Sequence, residues 1–332
     1  MRMIAKPRIG LLSKKRGNFA LQEKFVGAAN VADTTGDEVE HHRRALTDAG
    51  YEVCLVSWGV DFARQVQDAQ VDLFFNVSSL VEAAILEELE LPFVGSDTHG
   101  IVIATHKSLA KRLWQLSGLP TSPFRVARTP EDCAAFRTNP PFDYPLFIKP
   151  EGGRGSSGID ETSVVADYDQ LVRGVTRRLE TIGQPVLIER HLRGREVTLG
   201  VVGNGATARV LPPLEVAYRQ GDVTLTFEKK ERDDDQFFCP APLDKEQTET
   251  MRRLALQAYA VLGLYDYARI DTMVTPEGPM LLEANSFAGL TCTPPEKPHS
   301  YIGFMARAEG KDGTSLLDEI VEAAIQRLNQ GR

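Results

Sequence analysis

The chain has 332 residues, 42% hydrophobic and 25% charged, with a formal net charge of -8. That composition fits one to three folded domains and argues against a disordered chain. The acidic balance argues against nucleic acid or an anionic membrane as the main partner. No apolar run is long enough to cross a bilayer, and Ile9-Gly10-Leu11-Leu12 is too short for the core of a signal peptide. The four cysteines, Cys54, Cys133, Cys239 and Cys292, lack CxxC spacing and predict reduced thiols in a cytoplasmic protein.

In chain order, Arg8 to Leu12 reads as a strand, and Asp37 to Ala49 as a helix stopped by Gly50. Strands follow at Tyr51 to Ser57 and Asp72 to Val77, then a helix over Leu80 to Leu89 and a strand over Leu91 to Gly95. This β-α-β-α-β alternation predicts a parallel sheet with helices on its faces. A helix is predicted from Thr105 to Leu116, with basic residues at Lys107, Lys111 and Arg112, ended by Gly118-Leu119-Pro120. Tyr144 to Lys149 is a strand, Tyr168 to Leu179 a helix and Pro185 to Arg190 a strand, which suggests a small α+β lid. From Glu196 the chain is strand-rich up to a helix over Thr248 to Leu262, and it closes with a helix over Ser315 to Asn329. Boundaries are placed near 104 and 188, which gives units 1–104, 105–188 and 189–332.

Three stretches carry chemistry. Tyr267 to Asp271 and Leu281 to Asn285 read as two strands joined at Pro276-Glu277-Gly278-Pro279. Asp271, Glu283 and Asn285 offer only oxygen donors, which suit Mg²⁺ rather than zinc. Side chains two apart on a strand share a face, so Arg269 lies on one face with Asp271, and Glu283 with Asn285. An ordinary hairpin with a structural Arg–Glu pair fits the same residues. Lys149-Pro150-Glu151-Gly152-Gly153-Arg154-Gly155-Ser156-Ser157-Gly158 follows a strand ending in lysine. Its glycines would let backbone N–H groups approach phosphate, with serine hydroxyls adding donors, or they form a plain surface loop. Glu189 and Glu196 flank a hinge-like turn at Arg193-Gly194. A carboxylate there can accept from an adenine amino group and a second can take ribose hydroxyls, although glutamates are usually solvated.

The order of Lys107, Lys149 with its glycine loop, Glu189, Glu196, Arg269, Asp271, Glu283 and Asn285 resembles the ATP-grasp enzymes, and most closely D-alanine–D-alanine ligase. The passages that carry this are A-T-H-K-S-L-A-K-R-L, L-F-I-K-P, V-L-I-E-R-H-L-R-G-R-E-V-T, Q-F-F-C-P-A, A-R-I-D and L-L-E-A-N-S-F-A-G-L-T, spread over roughly 71 to 292. The resemblance implies a three-domain ATP-grasp fold of mixed α/β and α+β class: a Rossmann-like N-terminal domain, a small central lid and a C-terminal catalytic domain. It implies that Lys107 and Lys149, with Ser156 and Ser157, meet the phosphates of ATP. It implies that Glu189 reads adenine, that His191 and Leu192 line the adenine slot and that Glu196 holds the ribose. Asp271, Glu283 and Asn285 would hold two Mg²⁺ ions, with Mn²⁺ as a substitute. Lys229 would reach the terminal phosphate, while Arg269 and the N–H of Gly289 would stabilise the tetrahedral intermediate.

The implied reaction joins a carboxylate to an amine through an acyl phosphate, with small-molecule amino-acid substrates and, by family habit, a homodimer. The departures lie in the amino-acid pockets. No A-E-R-E segment follows the first strand, which leaves Asp33, Asp37 or Glu38 to hold the donor ammonium. Asn76-Val77-Ser78-Ser79-Leu80-Val81-Glu82 stands where the family has H-G-x-x-G-E-D-G. Thr293-Pro294-Pro295-Glu296-Lys297-Pro298 replaces the serine-leucine pair that grips the acceptor carboxylate, and proline has no N–H to donate. Lys230 and Lys297 are the candidate replacements. The pattern suggests a ligase with altered amino-acid pockets. Its rivals are an authentic D-alanine–D-alanine ligase of peptidoglycan synthesis and an ATP-binding protein or phosphotransferase without ligation.

Overall fold

The computed structural model describes residues 6–13, 36–77, 79–152, 158–217, 236–293 and 300–331. The first sheet is fully parallel. Its strands β1 (Ile9–Ser13), β2 (Val53–Ser57), β3 (Leu73–Phe75) and β4 (Phe93–Val94) lie in the order β2-β1-β3-β4. Every residue of β1 is buried, as a parallel strand covered on both faces requires. One face carries α1 (Gly36–Asp48), through Val39 and Leu46. The other carries α2 (Phe62–Asp68), α3 (Leu80–Glu88) and α4 (Thr98–Thr105), through Phe62, Val66, Leu86 and Ile101.

The helix expected over Thr105 to Leu116 is α5 (Lys107–Leu116). A further helix, α4, precedes it and ends at Thr105, and His106 between them is extended with φ -89° and ψ 95°. The junction is held by Glu151: the Lys107 N–H donates to the Glu151 carbonyl at 3.2 Å, and the Ser108 hydroxyl donates to the Glu151 carboxylate. The boundary placed near 104 therefore falls inside α4. The one near 188 falls inside β8 (Val186–Arg190).

The second sheet joins β8 to β5 (Phe124–Ala127), β6 (Leu146–Pro150) and β7 (Val164–Val165), all antiparallel, in the order β5-β8-β6-β7. Helix α6 (Tyr168–Ile182) covers one face, packing Leu171 and Val175 on Ile148, Val186 and Ile188. Strand alternation leaves Phe147, Lys149 and Glu189 on the opposite face.

The third sheet has the order β12-β11-β9-β13-β14, with a short β10 (Arg209–Val210) on β9. Its members are β9 (Arg195–Val202), β11 (Leu214–Ala217), β12 (Gln236–Phe238), β13 (Tyr267–Thr275) and β14 (Gly278–Asn285). Helix α7 (Lys245–Val261) packs on one face together with α5. There Trp114 is fully buried and its indole N–H donates to the Ala258 carbonyl at 3.2 Å. The other face meets the first sheet's helix layer with α8 (Tyr301–Ala308) and α9 (Gly313–Asn329).

A buried ion pair ties the first and third sheets. Arg327 of α9 forks onto Asp266 at 2.9 and 2.8 Å and donates to the Phe93 carbonyl, while the Gly95 N–H donates to Asp266.

Candidate active site

The hairpin β13–β14 builds one polar face. Arg269 lies opposite Asn285, and Asp271 opposite Glu283. This register depends on a bulge: Thr272 pairs with Leu281, so Leu282 is the extra residue. Without it Glu283 would face Ile270, and both β14 ligands would turn into the core. β14 is an edge strand, which is why Pro279 is tolerated in it.

On this face Asp271 is the hub. Arg269 donates to its two oxygens at 2.8 and 2.9 Å, the Thr198 hydroxyl donates to Oδ1, and the Asn285 amide donates to Oδ2 at 2.9 Å. Burial opposes the charge of Arg269, but Asp271 outweighs it and holds the guanidinium pKa above its ordinary value. The guanidinium also sits 5.0 Å from the ring centre of Tyr301. Lys107 faces Glu283 at 3.6 Å, and a narrow cleft runs between them, lined also by Thr105, Asn285 and Ser286. Burial lowers the pKa of Lys107 against the opposing pull of Glu283.

Among the described residues no group of three or more His, Cys, Asp or Glu side chains is gathered for a metal. The donors on this face are two carboxylates and an amide, which suits a hard cation that completes its shell with ligand oxygens and water. Asp271 already accepts four hydrogen bonds. A metal there requires the Asn285 amide to turn its oxygen forward and release Oδ2. With that rotation the donor set fits Mg²⁺.

The second sheet supplies the other half. Lys149 and Glu189 are 2.8 Å apart and almost wholly buried, so the solvated reading of Glu189 is overturned. A residue not singled out from the sequence joins them: Lys111, fully buried, lies 2.7 Å from Glu189. Burial disfavours the charge of Glu189, but Lys111 and Lys149 outweigh it and hold its pKa low. The ring of His191 stacks on Phe147 at 6.1 Å with 19° between planes, beside these charges. Leu192 follows on the turn into β9, and Glu196 is the second residue of that strand. Gly194 in that turn is obligatory, because a Cβ there would sit 2.1 Å from the Val274 carbonyl oxygen.

The first sheet reaches the site through α1. A Cβ on Gly289 would lie 3.8 Å from the Glu38 carboxylate and 3.0 Å from Ser300, so Glu38 stands beside the Gly289 backbone. Asp37 is exposed and Asp33 lies outside the described residues. His41 accepts from the Cys292 N–H at 3.3 Å, fastening α1 to the same segment. Ser156, Ser157, Lys229, Lys230 and Lys297 also lie outside the described residues. Thr198, Tyr301 and Ser300 were not legible as site residues, since nothing in their spacing separates them from ordinary strand and cap positions.

Residues 113–322 match the family model described as D-ala D-ala ligase C-terminus. The D-alanine–D-alanine ligase of Cupriavidus necator is 33% identical over 246 residues, which are 74% of this chain and 71% of that protein. The ligase of the same name from Bordetella avium is 32% identical over 292 residues, 86% and 88% of the two chains. Among solved structures, the Bacillus anthracis D-alanine–D-alanine ligase complexed with ATP superposes with TM-score 0.73 at 19% identity, covering 98% of this chain and 100% of that one. The Enterococcus faecalis VanG D-Ala:D-Ser ligase superposes with TM-score 0.71 at 19% identity, covering 96% and 99%. At such identities the superpositions show the fold alone.

Proposed function

The chain belongs to the D-alanine–D-alanine ligase family of ATP-grasp enzymes, and on that premise we propose that it uses ATP to join a carboxylate to an amine through an acyl phosphate, with amino-acid pockets of its own. The observation that carries this is the single face on which Arg269, Asp271, Glu283 and Asn285 meet Lys107 across a cleft. A hairpin that served only structure would not gather two carboxylates, an amide and an arginine on one face with a lysine 3.6 Å from one of the carboxylates. Lys149 and Glu189 continue the site onto the lid sheet.

In this reading the donor carboxylate attacks the terminal phosphate of ATP and ADP leaves. The acceptor amine then attacks the acyl carbon and phosphate leaves with the C–O electrons. Bound Mg²⁺ supplies charge neutralisation at the phosphates, and Asp271, Glu283 and Asn285 are the residues that would hold it. Lys107 and Lys149 lie against the phosphates, with Lys229, Ser156 and Ser157 as further contacts. Arg269 is held in place by Asp271 and Tyr301. With the Gly289 N–H, it faces the oxygen that gains charge at the acyl carbon. Glu38, beside Gly289, takes the donor ammonium. Such a reaction belongs in the ATP-supplied cytoplasm, and a homodimer is carried over from the family.

Rebuilt pockets are supported by Asn76 and Ser79 where the family histidine motif is expected, and by Pro294 and Pro295, which cannot donate from their backbone nitrogens. D-alanine–D-alanine ligation itself is the second reading, favoured by the names of the relatives. Glu283→Gln tests the shared chemistry. It should abolish ADP release while the thermal melt stays near wild type. Near-normal turnover in that variant would remove Glu283 from metal binding.

A further inference from the structure

Lys111 has no part in the chemistry above, yet it is the most deeply buried cation of the site. Its ammonium lies 2.7 Å from Glu189, donates to the Thr121 hydroxyl at 2.6 Å and approaches the Leu281 carbonyl at 3.4 Å. Its neighbours on α5, Ala110 and Trp114, are core residues, and an apolar side chain would fill the same position at no desolvation cost. Lys107 and Lys111 are one helical turn apart, about 6 Å along the axis. They reach Glu283 and the Leu281 carbonyl, which flank the bulged Leu282 on β14. Helix α5 therefore lies along β14 with one lysine at the phosphate end of the site and the other beneath the base end.

Glu189 is clamped between two ammonium groups. Lys111 forms an ion pair with one carboxylate oxygen at 2.7 Å, leaving that oxygen without a hydrogen bond, and Lys149 pairs with the other at 2.8 Å. A carboxylate held in this way keeps its orientation and its negative charge, and can only accept hydrogen bonds. Beside it lies the stacked pair Phe147 and His191, a flat surface suited to a purine. Thr121 completes the clamp from behind: its hydroxyl accepts from Lys111 and donates to the Leu281 carbonyl at 2.7 Å.

We propose that Lys111 is a positioning residue for base selection: it locks Glu189 as an acceptor at the base end of the nucleotide site, favouring a base that presents an amino group over one that presents a carbonyl. The inference rests on the reading of Glu189 as a nucleotide contact. Adenine offers an amino group at the position where guanine offers an oxygen, and an oxygen facing the fixed carboxylate leaves two acceptors opposed.

The test is calorimetric binding of ATP and of GTP, each with Mg²⁺, to the full chain and to Lys111→Met, Thr121→Val and Glu189→Gln. Lys111→Met should weaken ATP roughly tenfold and GTP much less, so that the preference for ATP collapses. Thr121→Val, which loosens the lysine without removing its charge, should shift the preference in the same direction by about threefold. Should Lys111→Met fail to fold, Thr121→Val decides the matter. A preference for ATP kept by Thr121→Val, or by a folded Lys111→Met, while Glu189→Gln loses it would overturn the role of Lys111 alone. Wild-type binding of both nucleotides by Glu189→Gln would instead overturn the nucleotide reading of Glu189.

Discussion

Two side chains of α1 show how one helix divides its duties. Glu38 and His42 are one turn apart and so share a face. Glu38 reaches Gly289, whereas His42 is sealed against Phe75 with neither ring nitrogen hydrogen-bonded. Glu38→Gln should raise KM for the carboxyl donor about tenfold with a smaller change in kcat, since a charge-assisted bond to the ammonium is lost in ground and transition states alike. Unchanged donor KM in a steady-state assay would free Glu38 from that role. Burial, with a smaller contribution from His41, pushes the His42 pKa down to about 3 from an ordinary 6.5. Between those values the unfolded chain binds a proton that the folded chain does not. Stability is therefore fully present above pH 6.5 and falls as pH drops through the window, by about 1.4 kcal/mol per pH unit. His42→Phe should flatten that slope in thermal melts from pH 7 to 5 and leave stability at pH 7 equal or higher, because no hydrogen bond is lost. A slope as steep as that of the wild type would contradict this account. Burial also lowers the pKa of His41 and His191, so some slope should remain.

Among the elements, the turn from β8 to β9 is the least forgiving. It joins the second sheet to the third, and Gly194 packs directly on the Val274 carbonyl. Gly194→Ala must displace one backbone from the other. It should cost about 1–3 kcal/mol and weaken ATP binding several-fold through the shifted β8 end. A melt and an ATP titration indistinguishable from wild type would show that the turn yields freely. The strands and longer helices could be read from the sequence because their apolar residues recur at regular spacing: β13, β14, α6, α7 and α9 all lie close to the predicted ranges. What escaped was set by contacts remote in sequence. Glu151 holds the junction at His106, and the bulge at Leu282 appears only when β14 pairs with β13. α2 and α8, both short, carry too few turns to show a period. Lys111 did leave a sign: a charge on the apolar stripe of α5, one turn after Lys107. The local pattern offers Glu283 as an oxygen donor for Mg²⁺ and Glu189 as an acceptor for an adenine amino group, each beside an ordinary alternative, and the resemblance chooses between them. Neither glutamate alone distinguishes a ligand contact from an ion pair.

At the scale of the molecule, the site lies where three sheets converge. The knot of Asp266, Arg327 and the Phe93 and Gly95 backbone holds the first sheet to the third, and so holds Glu38 near Gly289. α5 spans the other joint, touching the second sheet through Glu189 and the third through Glu283 and Leu281. In the function proposed above, nucleotide and metal contacts would come from the second and third sheets, while the donor pocket would add the first. Such a division would let the amino-acid partners change without disturbing the ATP half. The most direct test is release of ADP and phosphate with Mg²⁺-ATP across single and paired D- and L-amino acids, with products identified by mass. The account predicts release coupled to an amide product from a pair other than two D-alanines. D-alanyl-D-alanine as the preferred product would contradict the rebuilt pockets, and ADP release without any amide product would contradict ligation itself.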